Sequence, residues 1–128
     1  LQNISWLSED DILENIGLLQ DTYRDDPIHV RDRAPIEYII NLEGLAYFYD
    51  YDILKIATTK IHTIIKGHPL LDGNKRLGML VGTYFLAINN VEIMASDESF
   101  FEIAVHLAAG EISKEDLHQW LQKSTNIT

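Results

Sequence analysis

Apolar residues recur at helical spacing along most of the chain. Ser8 is a natural N-cap, and Glu9, Asp10 and Asp11 follow it as first-turn acids that complement a helix dipole. Ile12, Ile16, Leu19 and Tyr23 then form one stripe, which the sequence Asp25-Asp26-Pro27 interrupts. A short helix is predicted over Ala34 to Asn41, with Asp32 or Arg33 near its cap. Asp52 caps a longer one whose inward positions are Ile53, Ile56, Ala57, Ile61, Ile64 and Ile65. Gly67 is expected to stop it, and Pro69 pushes His68 out of the helical region.

The next predicted helix starts at Gly73 or Asn74 and runs to about Ile88. It is apolar on nearly every side, which places it at the centre of the domain. Gly78 and Gly82 share one face and would let a neighbouring helix approach closely. Asn89-Asn90 ends that helix, and Val91 to Met94 reads as a short extended link. Ser96 or Asp97 caps another helix, with Phe100, Phe101, Ala104, Leu107 and Ala108 inward and Gly110 at its end. Ser113, with Asp116 three residues on, starts a last helix carrying Leu117, Trp120 and Leu121. Only Glu43 to Tyr51, aromatic and glycine-punctuated, favours extended structure, as a loop or small hairpin. The expectation is an all-α bundle, a single domain over residues 1–128, with one short non-helical flap.

Charge narrows the function. The net charge is −10, which argues against nucleic acid or an anionic membrane as the main partner. The imbalance is uneven: residues 1–50 carry 11 acids and 3 bases, whereas residues 51–76 carry 2 acids and 5 bases. A local cationic block in an acidic protein suits a small anionic ligand. There are no cysteines, so disulfides, thiolate metal sites and a cysteine nucleophile are excluded. The opening residues show no signal-peptide pattern, and the longest apolar run, Leu77 to Ile88, is too short to span a bilayer, so a cytoplasmic location is expected.

The cationic block ends in a cluster, "KGHPLLDGNKRLG", Lys66 to Gly78. Its residues His68 to Asp72 form a loop leading directly into a helix N-terminus, where backbone N–H groups lack partners and the dipole is positive. Gly73 lets a ligand approach the backbone, and Lys75 and Arg76 add full charges. This is an anion site, most naturally for phosphate. Asp72 alone suits Mg²⁺ arriving with a nucleotide rather than a permanent cage. His68 could take a proton from an attacking hydroxyl. A P-loop is excluded because Arg76 follows Lys75 where Ser or Thr is needed, and no histidine or cysteine spacing supplies a zinc site.

At these residues the chain resembles the Fic/Doc family, also called the Fido fold. The family motif is written HPFx[D/E]GN[G/K]R, and here it reads His68-Pro69-Leu70-Leu71-Asp72-Gly73-Asn74-Lys75-Arg76. "VRDRAPIEYI" (Val30 to Ile39) looks like the Arg-Asp stretch opening the upstream helix in the death-on-curing branch, and "FLAINNVEI" (Phe85 to Ile93) resembles the helix end after the motif. The resemblance implies a Fido-type bundle and a transferase using ATP and Mg²⁺. His68 would be the general base on a target protein's hydroxyl, and Asp72 the metal ligand. Gly73 and Asn74 would line the phosphate loop, while Lys75 and Arg76 would bind phosphates. Tyr47, Phe48 and Tyr49 fall where the family's target-docking flap lies, although core packing explains them equally well.

Two departures matter. Leu70 replaces the usual Phe that anchors the loop, which implies altered packing rather than lost chemistry. Lys75 stands where AMP-transferring members have Gly, and Met79 where they have a second Arg. In Doc-type toxins the Lys version accompanies transfer of the γ-phosphate. The resemblance therefore leans toward a Doc-like toxin kinase acting on a Ser or Thr hydroxyl. Fic-type AMP transfer and a catalytically weak nucleotide- or partner-binding module are the alternatives. Doc-type toxins are usually neutralised by a small antitoxin, so one is an expected partner beside the protein substrate. His29, His62, His106 and His118 read as ordinary surface or part-buried histidines, and Lys60 and Lys66 as solvated, with a contribution to the cationic site as the other reading.

Overall fold

The computed structural model describes residues 4–22, 29–42, 44, 46 and 52–127 of the chain. Among them lie six helices: α1 (Glu9–Thr22), α2 (Ala34–Ile40), α3 (Ile53–Gly67), α4 (Asn74–Ile88), α5 (Asp97–Ala108) and α6 (Lys114–Ser124). The described residues hold no β-strand, only two isolated bridges, Val30 to Leu70 and Ile93 to Thr125. The architecture is the all-helical bundle that the periodicity predicts.

Capping explains where most of these helices begin. Asp52 accepts from the Lys55 amide at 2.8 Å, and Ser96 from the Ser99 amide at 3.1 Å. Ser113 and Asp116 close a reciprocal box, at 3.1 and 2.8 Å. Ser8 and Asp11 close the same box at the head of α1, at 3.2 and 2.8 Å, so Asp11 does more than face the dipole. Each such cap is worth roughly 1 kcal/mol.

The centre of the bundle is the α3–α4 pair, the most extensive helix contact in the molecule. Helix α3 also packs on α2, α5 and α6, and α4 on α1 and α5. Ile56, Ile61, Ile64, Leu77, Val81, Phe85 and Leu86 are fully buried there. The two glycines of α4 set how close the pair can come. A Cβ at Gly78 would lie 2.9 Å from Ile65 Cγ1, and one at Gly82 would lie 2.5 Å from Ile61 Cδ1. Overpacking of this kind costs about 1–3 kcal/mol. Phe100 stacks on Trp120 at 5.2 Å between centroids and joins α5 to α6. The link after α4 is extended as predicted, and it runs beside the chain end: Met94 N–H donates to Ser124 O and Asn126 N–H to Glu92 O.

Three expectations change. Gly67 does not stop α3, since it is the last helical residue and His68 takes the left-handed cap at φ 52°. Gly67 is needed for space instead, because a Cβ there would lie 2.7 Å from Pro35 Cγ. The extended reading of Glu43 to Tyr51 is not met at Gly44 and Ala46, whose backbone is helical. The rest of that stretch, with Tyr47, Phe48 and Tyr49, lies outside the described residues, as does Tyr23.

Lys60 is the largest correction. It is not solvated but 0% exposed in the centre of the bundle. Its ammonium donates to Ile39 O at 3.0 Å and lies 5.1 Å from the Phe85 ring centroid and 5.9 Å from that of Trp6. Burial pushes its pKa down to about 8. The charge thus belongs to the core and to the end of α2, not to the cationic loop.

Candidate active site

Residues 68–73 connect the two central helices, and the surrounding chain holds them from three sides. The first hold is a short antiparallel strap. Pro69 O accepts from both Arg31 N–H at 2.7 Å and Asp32 N–H at 3.1 Å, and Leu71 N–H donates to His29 O at 3.1 Å. The second hold comes from Asn74. Its side-chain oxygen accepts from Leu70 N–H and its amide donates to Leu70 O, both at 2.9 Å. The third is Leu70 itself, 1% exposed and part of the core. Leucine thus anchors the loop where a phenylalanine was the expected anchor, and the chemistry-bearing residues remain outside.

His68 is exposed, with its backbone in the left-handed region. A non-glycine residue held there is backbone strain that the neighbours must impose. The Arg31 guanidinium supplies part of that restraint, donating to His68 O at 2.7 and 3.1 Å and to Gly67 O at 3.5 Å. It also satisfies carbonyls at the end of α3 with a positive charge, which the helix dipole favours. The imidazole is oriented by its own chain: Nδ1 lies 3.1 Å from Lys66 O. A carbonyl only accepts, so Nδ1 carries a hydrogen, and in the neutral imidazole Nε2 keeps its lone pair. Nε2 is the atom able to receive a proton from a hydroxyl.

Gly73, at φ 90°, turns the chain into α4. No side chain caps this helix, unlike α1, α3, α5 and α6. The first intrahelical bond runs from Leu77 N–H to Gly73 O, so the amides of Asn74, Lys75 and Arg76 have no protein acceptor among the described residues. Gly73 N–H is taken by Asp72 Oδ1 at 2.8 Å. The uncapped end and its two adjoining cations fit an anion. Arg76 is braced from behind, its Cζ 4.0 Å from the Phe101 ring centroid on α5. Stacking on the ring face leaves the edges of the guanidinium available for oxygen ligands.

The structure therefore brings together His68, Asp72, Gly73, Lys75 and Arg76 on one loop and one helical turn. It separates Asn74, whose buried side chain is fully used on Leu70 and leaves only its backbone N–H facing the loop's ligand side. Lys66 is exposed, with Nζ 3.5 Å from Leu107 O. No group of three or more potential metal ligands occurs among the described residues, so Asp72 has no carboxylate or histidine partners for a metal cage. A single exposed carboxylate with one oxygen uncommitted fits Mg²⁺ only where phosphate oxygens complete the shell. Sequence reasoning missed the roles of Arg31 and Phe101. Both act across long sequence separations, through a backbone carbonyl and a ring face, and no local pattern signals either.

A helix-linking loop that carries an exposed imidazole and leads into an uncapped, cationic helix N-terminus is the layout of a phosphate-handling transferase. Residues 6–86 match the Fic/DOC family, and the chain belongs to that family. Members are usually transferases that use ATP and often Mg²⁺. No curated protein matches the chain. No described helix is long and apolar enough to cross a membrane.

Proposed function

We propose that the chain is a Doc-like protein kinase, transferring the γ-phosphoryl group of ATP to a Ser or Thr hydroxyl of a target protein. The observation that carries the reading is the pairing of His68 Nε2 with the uncapped α4 N-terminus bearing Lys75 and Arg76. The phosphates of the nucleotide would lie on the amides of Asn74, Lys75 and Arg76, with Arg76 held at their edge by Phe101. Asp72 would hold the Mg²⁺ that accompanies the nucleotide, which when bound neutralises phosphate charge. His68 Nε2 takes the proton of the target hydroxyl as its oxygen attacks the γ-phosphorus. The bond from that phosphorus to its bridging oxygen breaks, and ADP leaves with the electron pair.

Lys75 favours the kinase reading over AMP transfer, because the residue adds a charge at the second helical position where AMP-transferring relatives have Gly. ATP labelled separately at the α- and γ-phosphates separates the two. Protein labelled from the γ position supports the kinase, and protein labelled only from the α position supports AMP transfer. A protein substrate, an antitoxin that covers the site, and action in the cytoplasm complete the proposal. A binding-only role predicts that His68→Ala, folded and still binding nucleotide, keeps its effect on cells. Loss of that effect assigns it to transfer.

A further inference from the structure

At the far end of α3 from His68, a cavity of about 280 Å³ opens between the starts of α3 and α6. Lys55, Thr58, Lys114, Glu115 and His118 line it. Thirteen residues of helix separate Lys55 from His68, roughly 20 Å at 1.5 Å per residue, so an occupant here would not touch the transfer loop.

The cavity concentrates positive charge in a protein of net charge −10. Lys55 and Lys114 lie near enough that Lys55, after burial, helps hold the Lys114 pKa below its ordinary value. Burial, then Lys114 and Lys66, push the neighbouring His62 imidazole down as well. Lys114 has no ion pair among the described residues. The acid at the cavity, Glu115, lies 3.9 Å from His118 Nδ1, and its side chain is 70% exposed. His118 carries a second sign of an absent partner: its Nε2 is buried with no hydrogen bond. An orphaned buried nitrogen of this kind calls for a partner that the described residues do not supply. Thr58 is 1% exposed and donates its hydroxyl hydrogen to Leu54 O at 2.7 Å, so its hydroxyl is already used within α3.

We propose that this cavity is a binding site for a small phosphate-bearing ligand, separate from the transfer loop. Two ammonium groups lining one cavity match a dianion. The volume lies just below the roughly 300 Å³ at which drug-sized pockets begin, which limits the occupant to a phosphate with a short organic body.

The test is a residue-resolved amide NMR titration of the whole chain with inorganic phosphate, against sodium chloride at matched ionic strength. The expected result is a saturating shift shared by Lys55, Thr58, Lys114 and His118, weakened at least tenfold in Lys114→Gln. Phosphate shifts at Gly73 to Arg76 should follow their own curve and survive that substitution. Conversely, the cavity shifts should survive Arg76→Ala, so the two sites stand or fall separately. Lys55→Gln provides a second variant should Lys114→Gln lose its helical circular dichroism. Shifts that are linear, equal in chloride, or unchanged in both lysine variants would overturn the site. So would tighter binding of an aspartate-rich peptide than of phosphate, which would assign the surface to a protein partner.

Discussion

Asn74 returns both ends of its side-chain amide to the backbone of Leu70, accepting from its N–H and donating to its carbonyl, each at 2.9 Å. The pair is buried, so water does not replace either bond. Asn74→Ala should therefore destabilise the chain by about 2–4 kcal/mol, the cost of leaving a buried donor and acceptor unpaired. Urea unfolding of the two proteins measures this. A change under about 0.5 kcal/mol, the usual range of surface substitutions, would show that the loop holds its shape without Asn74.

Arg31 restrains His68 through a carbonyl, not through the imidazole. Because the guanidinium is exposed, Arg31→Ala should cost no more than about 1 kcal/mol of stability. Transfer should fall roughly tenfold or more as the imidazole loses its fixed position. The KM for ATP should hold, because the strap from Arg31 N–H to Pro69 O is main-chain and persists. A variant with unchanged kcat and raised KM would contradict this role.

Phe101 positions Arg76 by stacking, and an interaction of that type is worth about 1 kcal/mol, roughly fivefold in rate. Phe101→Ala should lower kcat/KM by that factor, and Phe101→Tyr should restore it. In an Arg76→Ala background the Phe101→Ala change should add nothing, since the stack is already gone. Additive losses would place Phe101 in a different role.

Lys60 makes stability depend on alkaline pH. Its unfolded-state pKa is 10.5 and burial lowers the folded value to about 8. Between those values the unfolded chain holds the proton and the folded chain has released it, so stability rises with pH across this window. Below about pH 8 both states are protonated and the burial cost is constant. The rise, taken as wild type minus Lys60→Met to cancel other titrations, should reach about 3 kcal/mol. Parallel stability curves for the two proteins from pH 7.5 to 10.5 would show that Lys60 is not titrating in the core.

Much of this protein is local and therefore legible in its sequence. Ser113 with Asp116 fixes a helix start because the cap partners are three residues apart, and the α4 glycines mark close packing because no Cβ fits there. The motif from His68 to Arg76 places its chemistry on one loop because all its members are within nine positions. Tertiary structure alone decided what holds that loop and which charges reach it. Lys60 and Lys66 look alike in the sequence, six residues apart in one helix, yet one is sealed against Phe85 and the other faces solvent. Asn74 reads as a phosphate ligand until its side chain is found bonded to Leu70. Gly67 reads as a helix stop until Pro35 is found against it, and the cap falls to His68. In each case the deciding contact comes from packing or a polar partner set by the folded loop and neighbouring helices, and a hydrophobic period specifies a buried face without specifying what it meets.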